Sequence, residues 1–352
     1  MATRTEEPLT PSGARRAPES GARVAPVVAP GVALTGATPA ILDVSVLVPS
    51  KDEAANLPIL LEQMATAFSG SDVTFELIII DDGSVDGSWA LLGQLEAQYP
   101  FLVRVRHRRC RGISDALRTG YLASRGRVLV FYPADLQYKP EDLPTLVSPI
   151  LSGWVDMVTG TKKGKYEKAF VSSVYNWLSR QLFSVPVRDL NGVKAYRREV
   201  MEVLPIRPDW HRYMIVVAAA EGYSVAEVPI PLYARNAGVS KFNRSRIIVG
   251  MLDMLSVWFE LRFGRKPLLL FGGLGGALFA IGFLTGIVAL ALRFFPPYVG
   301  FRPLLNLVET CVIVGSVLMV GGLLGEQIAV QRAELREVRR RLDVAATDDI
   351  GR

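Results

Sequence analysis

The sequence predicts an α/β domain on an open, mostly parallel sheet, followed by an interfacial amphipathic helix and a two-helix transmembrane hairpin. Three observations predict it. Apolar runs of roughly four to six residues alternate with amphipathic helical stretches from Asp43 to about Arg235. Such runs mark strands covered on both faces, as parallel strands joined by helices are. The stretch "NRSRIIVGMLDMLSVWFELRFGR" then combines an apolar stripe with basic ends, and two long apolar segments follow it.

Composition narrows the function. The chain has 352 residues, net charge +6 and 50% hydrophobic residues. That is too long for one small core and too apolar near its end for a wholly soluble protein. Its two cysteines, Cys110 and Cys311, lie far apart and suggest neither a disulfide framework nor a cysteine-based zinc site. The two histidines, His107 and His211, form no metal-binding spacing, and no GxxxxGK[ST] phosphate loop is present. No nucleic-acid partner is expected.

Residues 1–40 are rich in Pro, Ala, Gly and Arg and lack aromatics, so a disordered tail is expected there. A signal peptide is the rival reading, but its candidate core "VAPVVAPGVAL" is broken by Pro26 and Pro30. In the α/β region, "DVSVLVPS" reads as a strand ending at Pro49 and "EAANLPILLEQMATAF" as a helix. "FELIIIDDGS" is a strand ending in Asp81, Asp82 and Gly83, and "DGSWALLGQLEAQY" the next helix. "LVRVRH" and "RVLVFYP" are strands with the helix "SDALRTGYLAS" between them, and "DMVTGT" is a later short strand. Ligands of open α/β sheets sit at the carboxyl ends of the strands. Those ends are Pro49–Glu53, Asp81–Ser84 and Pro133–Gln137, three polar segments able to line one crevice.

In the stretch that follows, Ile247, Met251, Met254, Leu255, Trp258 and Leu261 fall on one helical stripe, with Asp253, Ser256 and Glu260 opposite. This is the pattern of a helix lying in a membrane interface, with an ordinary core-facing helix as the alternative. Leu268 to Leu292 carries no charge, and Leu304 to Gly325 carries only Glu309. Either can span the roughly 30 Å hydrocarbon layer. Basic residues cluster before the first span and after the second, against Arg293 and Arg302 between them. That bias places both termini and the α/β domain in the cytoplasm. The spacings Gly272-xxx-Gly276 and Gly321-xxx-Gly325 are candidate sites of close helix approach.

The segments "VLVPSKDEAANL", "LIIIDDGSVDGS", "YPADLQYKPEDL", "RDLNGVKAYRREV" and "RNAGVSKF" occur in this order ahead of the two spans. The chain resembles family 2 glycosyltransferases of GT-A fold, and within them the polyprenyl-phosphate branch that includes dolichol-phosphate mannose synthases and bacterial undecaprenyl-phosphate sugar transferases. The resemblance implies inverting transfer from a UDP- or GDP-linked nucleotide sugar to a polyprenyl phosphate, in an integral protein of the bacterial cytoplasmic membrane. It implies that Pro49 and Glu53 contact the nucleoside and that Asp81 or Asp82 bonds the base or ribose. Asp135 with Gln137 would hold Mg²⁺ or Mn²⁺, and Asp189 would be an active-site acid. Lys162, Arg235, Ser240 and Lys241 would contact the acceptor phosphate.

Bland alternatives stand beside these roles. Asp-Gly-Ser is turn chemistry, Glu53 suits a helix first turn, and juxtamembrane cations attract anionic lipid without catalytic contact. The chain also departs from the family at Pro133, where an acid is usual, so one anionic metal ligand is missing. The expected division is 1–40 tail, 41–240 transferase domain, 241–266 interfacial helix, 267–328 two spans and 329–352 basic cytoplasmic tail. Self-association of the chain is left open. A transferase with another lipid or glycan acceptor, and a non-enzymatic membrane adaptor on a decayed domain, are the rival functions.

Overall fold

The structure, a computed structural model, describes residues 41–163, 181–183, 187, 189–190, 192–204, 207, 210–233, 245–294 and 302–350. The elements run β1 (Leu42–Ser50), α1 (Leu57–Phe68), β2 (Phe75–Asp81), α2 (Ser88–Leu95), β3 (Leu102–Arg106), α3 (Ile113–Ala123), β4 (Gly126–Phe131) and α4 (Leu143–Leu151). After them come β5 (Met157–Lys163), β6 (Lys194–Arg197), α5 (Arg198–Val203), α6 (Met214–Ala220), β7 (Val225–Pro231), α7 (Ser245–Phe263), α8 (Pro267–Arg293) and α9 (Arg302–Ile350).

Seven strands form one sheet in the order β3-β2-β1-β4-β6-β5-β7. β1 pairs in parallel with both β2 and β4, β2 with β3, and β5 with β7. β6 runs antiparallel to both of its neighbours. The α/β architecture expected from the apolar runs is thus the one observed. Alternation within each run sends side chains to two cores. Val44, Val46, Val48, Leu77, Ile79, Val128 and Val130 face α1 and α4. Leu47, Ile78, Ile80, Leu129 and Phe131 face α3, α6 and α7. Helix α3 lies close to the sheet because Gly120 has no side chain: a Cβ there would meet Ile80 Cδ1 at 2.9 Å and Leu47 Cδ2 at 3.2 Å.

Helix α7 does not present a single apolar stripe. Met254 and Val257 are fully buried against the second core, and the Tyr213 hydroxyl donates to the Gly250 carbonyl at 3.0 Å. Met251, Leu252 and Leu255 remain exposed. The helix thus joins the α/β domain through one face and offers an apolar face elsewhere. The run "LSVWF" is apolar nearly all round, so its periodicity could not single out Val257 as the docked position.

Helices α8 and α9 are long and apolar enough to cross a membrane, with mean hydropathy 2.2 in each candidate span. Only 17% of each apolar window is buried within the chain. They pack through small residues: a Cβ on Gly275 would meet the Gly315 carbonyl at 2.6 Å, and one on Gly322 would meet the Gly272 nitrogen at 2.9 Å. Of the spacings singled out in the sequence, Gly272 and Gly325 lie at this contact. Gly321 faces open space, and Gly276 meets only Met319 Cε, at 4.0 Å. Helix α9 continues without a break to Ile350, so the basic segment after the span extends the same helix.

Candidate active site

The carboxyl ends of β1, β2 and β4 are adjacent, and hydrogen bonds lace the first two together. Asp52 N donates to Ser84 Oγ at 2.9 Å, and Val85 N donates to Asp52 Oδ1 at 2.9 Å. Asp52 adopts a left-handed φ of 56°, which Asp tolerates better than most residues. Lys51 Nζ donates to the Gly83 carbonyl at 3.2 Å, and Ala54 N to Asp86 Oδ2 at 2.9 Å. This ladder sets Pro49 and Glu53 beside Asp81 and Asp82. The Glu53 carboxylate accepts from Asn56 Nδ2 at 2.6 Å.

Asp81 and Asp82 are both buried and do different things. Asp81 Oδ1 accepts from Ser84 N at 3.0 Å, and its Oδ2 lies 3.0 Å from Arg106 Nε. Asp82 gathers the loop that precedes α3. Its Oδ1 lies 2.7 Å from His107 Nδ1 and accepts from Arg111 N at 2.8 Å. Its Oδ2 accepts from Gly112 N at 2.8 Å and Cys110 Sγ at 3.1 Å. Burial opposes ionisation of Asp82, but the bonds from His107, Arg111, Gly112 and Cys110 outweigh it and hold the carboxyl well below the usual range. The bond to Asp82 in turn pushes the Cys110 thiol up, which disfavours a nucleophilic thiolate. Gly83, at φ +75°, lets the same loop pass: a Cβ there would lie 2.9 Å from Arg109 C and Cys110 N.

Strand β4 ends at Phe131, two residues before the proline that closes the apolar run, and Tyr132 N still donates to the Leu47 carbonyl at 3.0 Å. Beyond it, burial alternates. Tyr132, Ala134, Leu136 and Tyr138 are buried in the first core, and the Tyr132 hydroxyl donates to the Tyr138 carbonyl. Burial pushes the Tyr132 phenol up, so it stays a donor. Leu136 takes a left-handed φ of 55°, held by its buried side chain. Pro133, Asp135 and Gln137 are left on the accessible face. Gln137 N donates to Asp135 Oδ1 at 3.3 Å, and the Gln137 carbonyl accepts from Tyr233 N at 2.9 Å. Among the described residues, no three His, Cys, Asp or Glu side chains converge as a metal cluster.

Asp189 is buried ahead of β6, with its backbone N donating to Glu227 Oε1 at 3.3 Å. Lys162 lies in β5, opposite Ile230; its side chain is outside the described residues, as are Arg235, Ser240 and Lys241 entirely. Three polar groups escaped the sequence reading: Arg106, His107 and the buried Lys194. Lys194 Nζ donates to the Leu190 and Gly192 carbonyls at 2.8 and 2.9 Å. Arg106 and His107 stood in "LVRVRH" as the polar end of a short strand, with no spacing to tie them to Asp81 and Asp82.

Residues 45–198 match the family model described as glycosyl transferase family 2. Dodecaprenyl-phosphate galacturonate synthase of Rhizobium johnstonii is 29% identical over 82% of this chain and 88% of its own length. Undecaprenyl-phosphate 4-deoxy-4-formamido-L-arabinose transferase of Klebsiella pneumoniae is 26% identical over 82% of this chain and 89% of its own. Among solved structures, glucosyl-3-phosphoglycerate synthase of Mycobacterium tuberculosis, in complex with Mn²⁺, uridine diphosphate and glucosyl-3-phosphoglycerate, superposes with a TM-score of 0.50. It is 19% identical, and the superposition covers 62% of this chain and 80% of that one, a likeness of fold.

Proposed function

We propose that the chain, whose residues 45–198 match the model of glycosyl transferase family 2, transfers a sugar, with inversion, from a nucleotide sugar to a polyprenyl phosphate at the cytoplasmic membrane face. The observation that carries the reading is a physical connection. A domain with the three polar carboxyl ends of adjacent strands β2, β1 and β4 side by side is joined, through the docked helix α7, to two helices of membrane-spanning length. The names of the relatives, polyprenyl-phosphate sugar transferases over most of this chain's length, fit that connection.

In this reading the nucleoside lies over the β1 and β2 ends, near Pro49, Glu53 and Asp81. Asp82 supports that floor, since both of its oxygens hold the loop before α3. Asp135 and Gln137 would hold Mg²⁺ or Mn²⁺. Their oxygens suit a hard cation, and Mg²⁺ is commonly held by one or two carboxylates with phosphates and water completing the shell. When bound, the cation neutralises the departing diphosphate.

The acceptor needs no general base. A phosphate monoester has a second pKa near 6 and is largely dianionic at neutral pH. Its oxygen forms the new bond to the anomeric carbon as the bond to the nucleoside diphosphate breaks. Lys162, Arg235, Ser240 and Lys241 are assigned to the acceptor phosphate, and Asp189 to orientation and electrostatics rather than proton removal. The test is a screen of radiolabelled UDP- and GDP-sugars against undecaprenyl phosphate with purified protein and Mg²⁺. Label in the lipid extract is expected from one donor class. A screen that labels no lipid from any donor refutes the reading.

A further inference from the structure

The loop that carries Asp135 and Gln137 is tied to a distant part of the sheet. It follows β4, and β7 lies three strands away in the order β4-β6-β5-β7. At the usual spacing of about 4.8 Å between strands, that is about 14 Å. Yet Tyr233, two residues beyond the end of β7, donates its backbone N–H to the Gln137 carbonyl at 2.9 Å. The loop after β4 and the extension of β7 therefore bridge the two strands that separate them.

A side-chain contact reinforces the backbone bond. Lys139 Nζ lies 4.5 Å from the centre of the Tyr233 ring, and Glu141 Oε1 stands 3.2 Å from the same ammonium. The ring's quadrupole attracts a cation held over its face. The place where the bridge attaches gives it a use. Between Asp135 and Gln137 the chain takes the left-handed φ of 55° at Leu136, which is unfavourable for a residue with a Cβ. Such a turn persists where its surroundings over-determine it. On the inner side, buried Ala134, Leu136 and Tyr138 anchor it in the first core. On the outer side, the bridge holds Gln137, the next residue, and Lys139. The turn brings Asp135 and Gln137 together, with Gln137 N donating to Asp135 Oδ1 at 3.3 Å. Tyr233 is 36% exposed, so its ring contributes little to the core.

We infer that Tyr233 is a positioning residue for the proposed metal site: its backbone N–H on Gln137 and its ring beneath Lys139 fix the turn that presents Asp135 and Gln137. The inference rests on the proposed role of those two residues in holding a divalent cation with the donor diphosphate. Tyr233 itself need not touch the cation or the donor. It acts through the geometry of the loop, because ligands held in place before the ion arrives lose less freedom on binding it.

The test is Mn²⁺ binding to the full-length protein in detergent, followed by electron paramagnetic resonance with saturating UDP or GDP, whichever the wild type binds. Tyr233→Leu, which keeps the bulk but not the ring, is expected to weaken Mn²⁺ roughly two- to fivefold, the range an exposed cation–π contact supplies. Tyr233→Phe, which keeps the ring, is expected to bind Mn²⁺ as wild type does. In a Lys139→Met background, Tyr233→Leu is expected to have no further effect. That comparison cancels the direct repulsion between Lys139 and the ion, since both of its members lack the lysine. The metal-free melting temperature of Tyr233→Leu is expected to match wild type. Wild-type Mn²⁺ affinity in Tyr233→Leu overturns the inference and leaves the transferase reading standing. So does an equal weakening in both backgrounds, which would mean that the ring acts without Lys139. If Tyr233→Leu melts earlier without metal but keeps its Mn²⁺ affinity, the ring supports only the fold and the inference falls. A wild type that binds neither nucleoside diphosphate nor Mn²⁺ removes the metal-dependent transferase reading and this inference together.

Discussion

His107 Nδ1 lies 2.7 Å from Asp82 Oδ1, with both side chains buried and His107 Nε2 2.9 Å from Thr119 Oγ1. The chain Asp82–His107–Thr119 links the end of β2 to the middle of α3. It fixes the loop between them.

Asp82→Asn is therefore expected to lower stability by about 1.5–3 kcal/mol, the usual range for hydrogen bonds to a charged group. Its pH dependence has a definite sign. The folded carboxyl is held below its ordinary 3.8 despite burial, so its stabilisation is present above 3.8 and is lost as pH falls through the folded value. Urea denaturation of wild type and Asp82→Asn should show a constant gap from neutrality down to 3.8 that narrows only below it. A gap that already closes between pH 7 and pH 5 would contradict this.

Asp135→Asn is expected to reduce transfer roughly 10- to 160-fold, since a charge-assisted contact is worth about 1.5–3 kcal/mol and each 1.36 kcal/mol is tenfold in rate. Mn²⁺ binding, followed by electron paramagnetic resonance with nucleoside diphosphate present, should weaken in parallel. Pro133→Asp should tighten Mn²⁺ if position 133 can reach the ion. Full metal-dependent activity in Asp135→Asn would remove this residue from the metal site.

The membrane hairpin offers a paired test. A Cβ on Gly315 would lie 2.8 Å from the Gly275 carbonyl, whereas one on Gly321 meets nothing within 4 Å. Gly315→Leu should destabilise the detergent-solubilised protein by roughly 1–3 kcal/mol, as overpacking does, and Gly321→Leu should leave its melting temperature unchanged. Equal effects would mean that the helices pack in another register.

Much of this was legible beforehand. The apolar runs of β1, β2 and β4 are long, and each is buried on both faces, so pattern alone identified them and their polar ends. β6 and β7 were not legible. "KAYR" is only four residues with a charge at each end, and "VAEVPIP" carries two prolines, which an edge strand tolerates but which erase the strand signal. At the site, the polar strand ends were visible because they are contiguous in sequence. The pairs Asp81–Arg106 and Asp82–His107 were not, because each partner comes from a different strand end and only the parallel pairing of β2 with β3 brings them together.

Helix α7 allows its two faces to be separated by experiment. Val257 is fully buried against the catalytic domain, so Val257→Ala removes packed methyl groups and should cost about 1.5–3 kcal/mol of stability. Leu252 and Leu255 are 61% and 53% exposed, so replacing both with Ser should leave stability in detergent nearly unchanged. If that face meets the bilayer, the double variant should bind liposomes less well through its soluble face and use undecaprenyl phosphate less efficiently, while nucleotide-sugar binding stays at the wild-type value. Acceptor kinetics in nanodiscs, compared with nucleotide-sugar binding in detergent, read the two effects apart. A double variant that loses nucleotide binding, or that melts at a lower temperature in detergent, would place Leu252 and Leu255 in the protein's own packing instead of at the membrane surface.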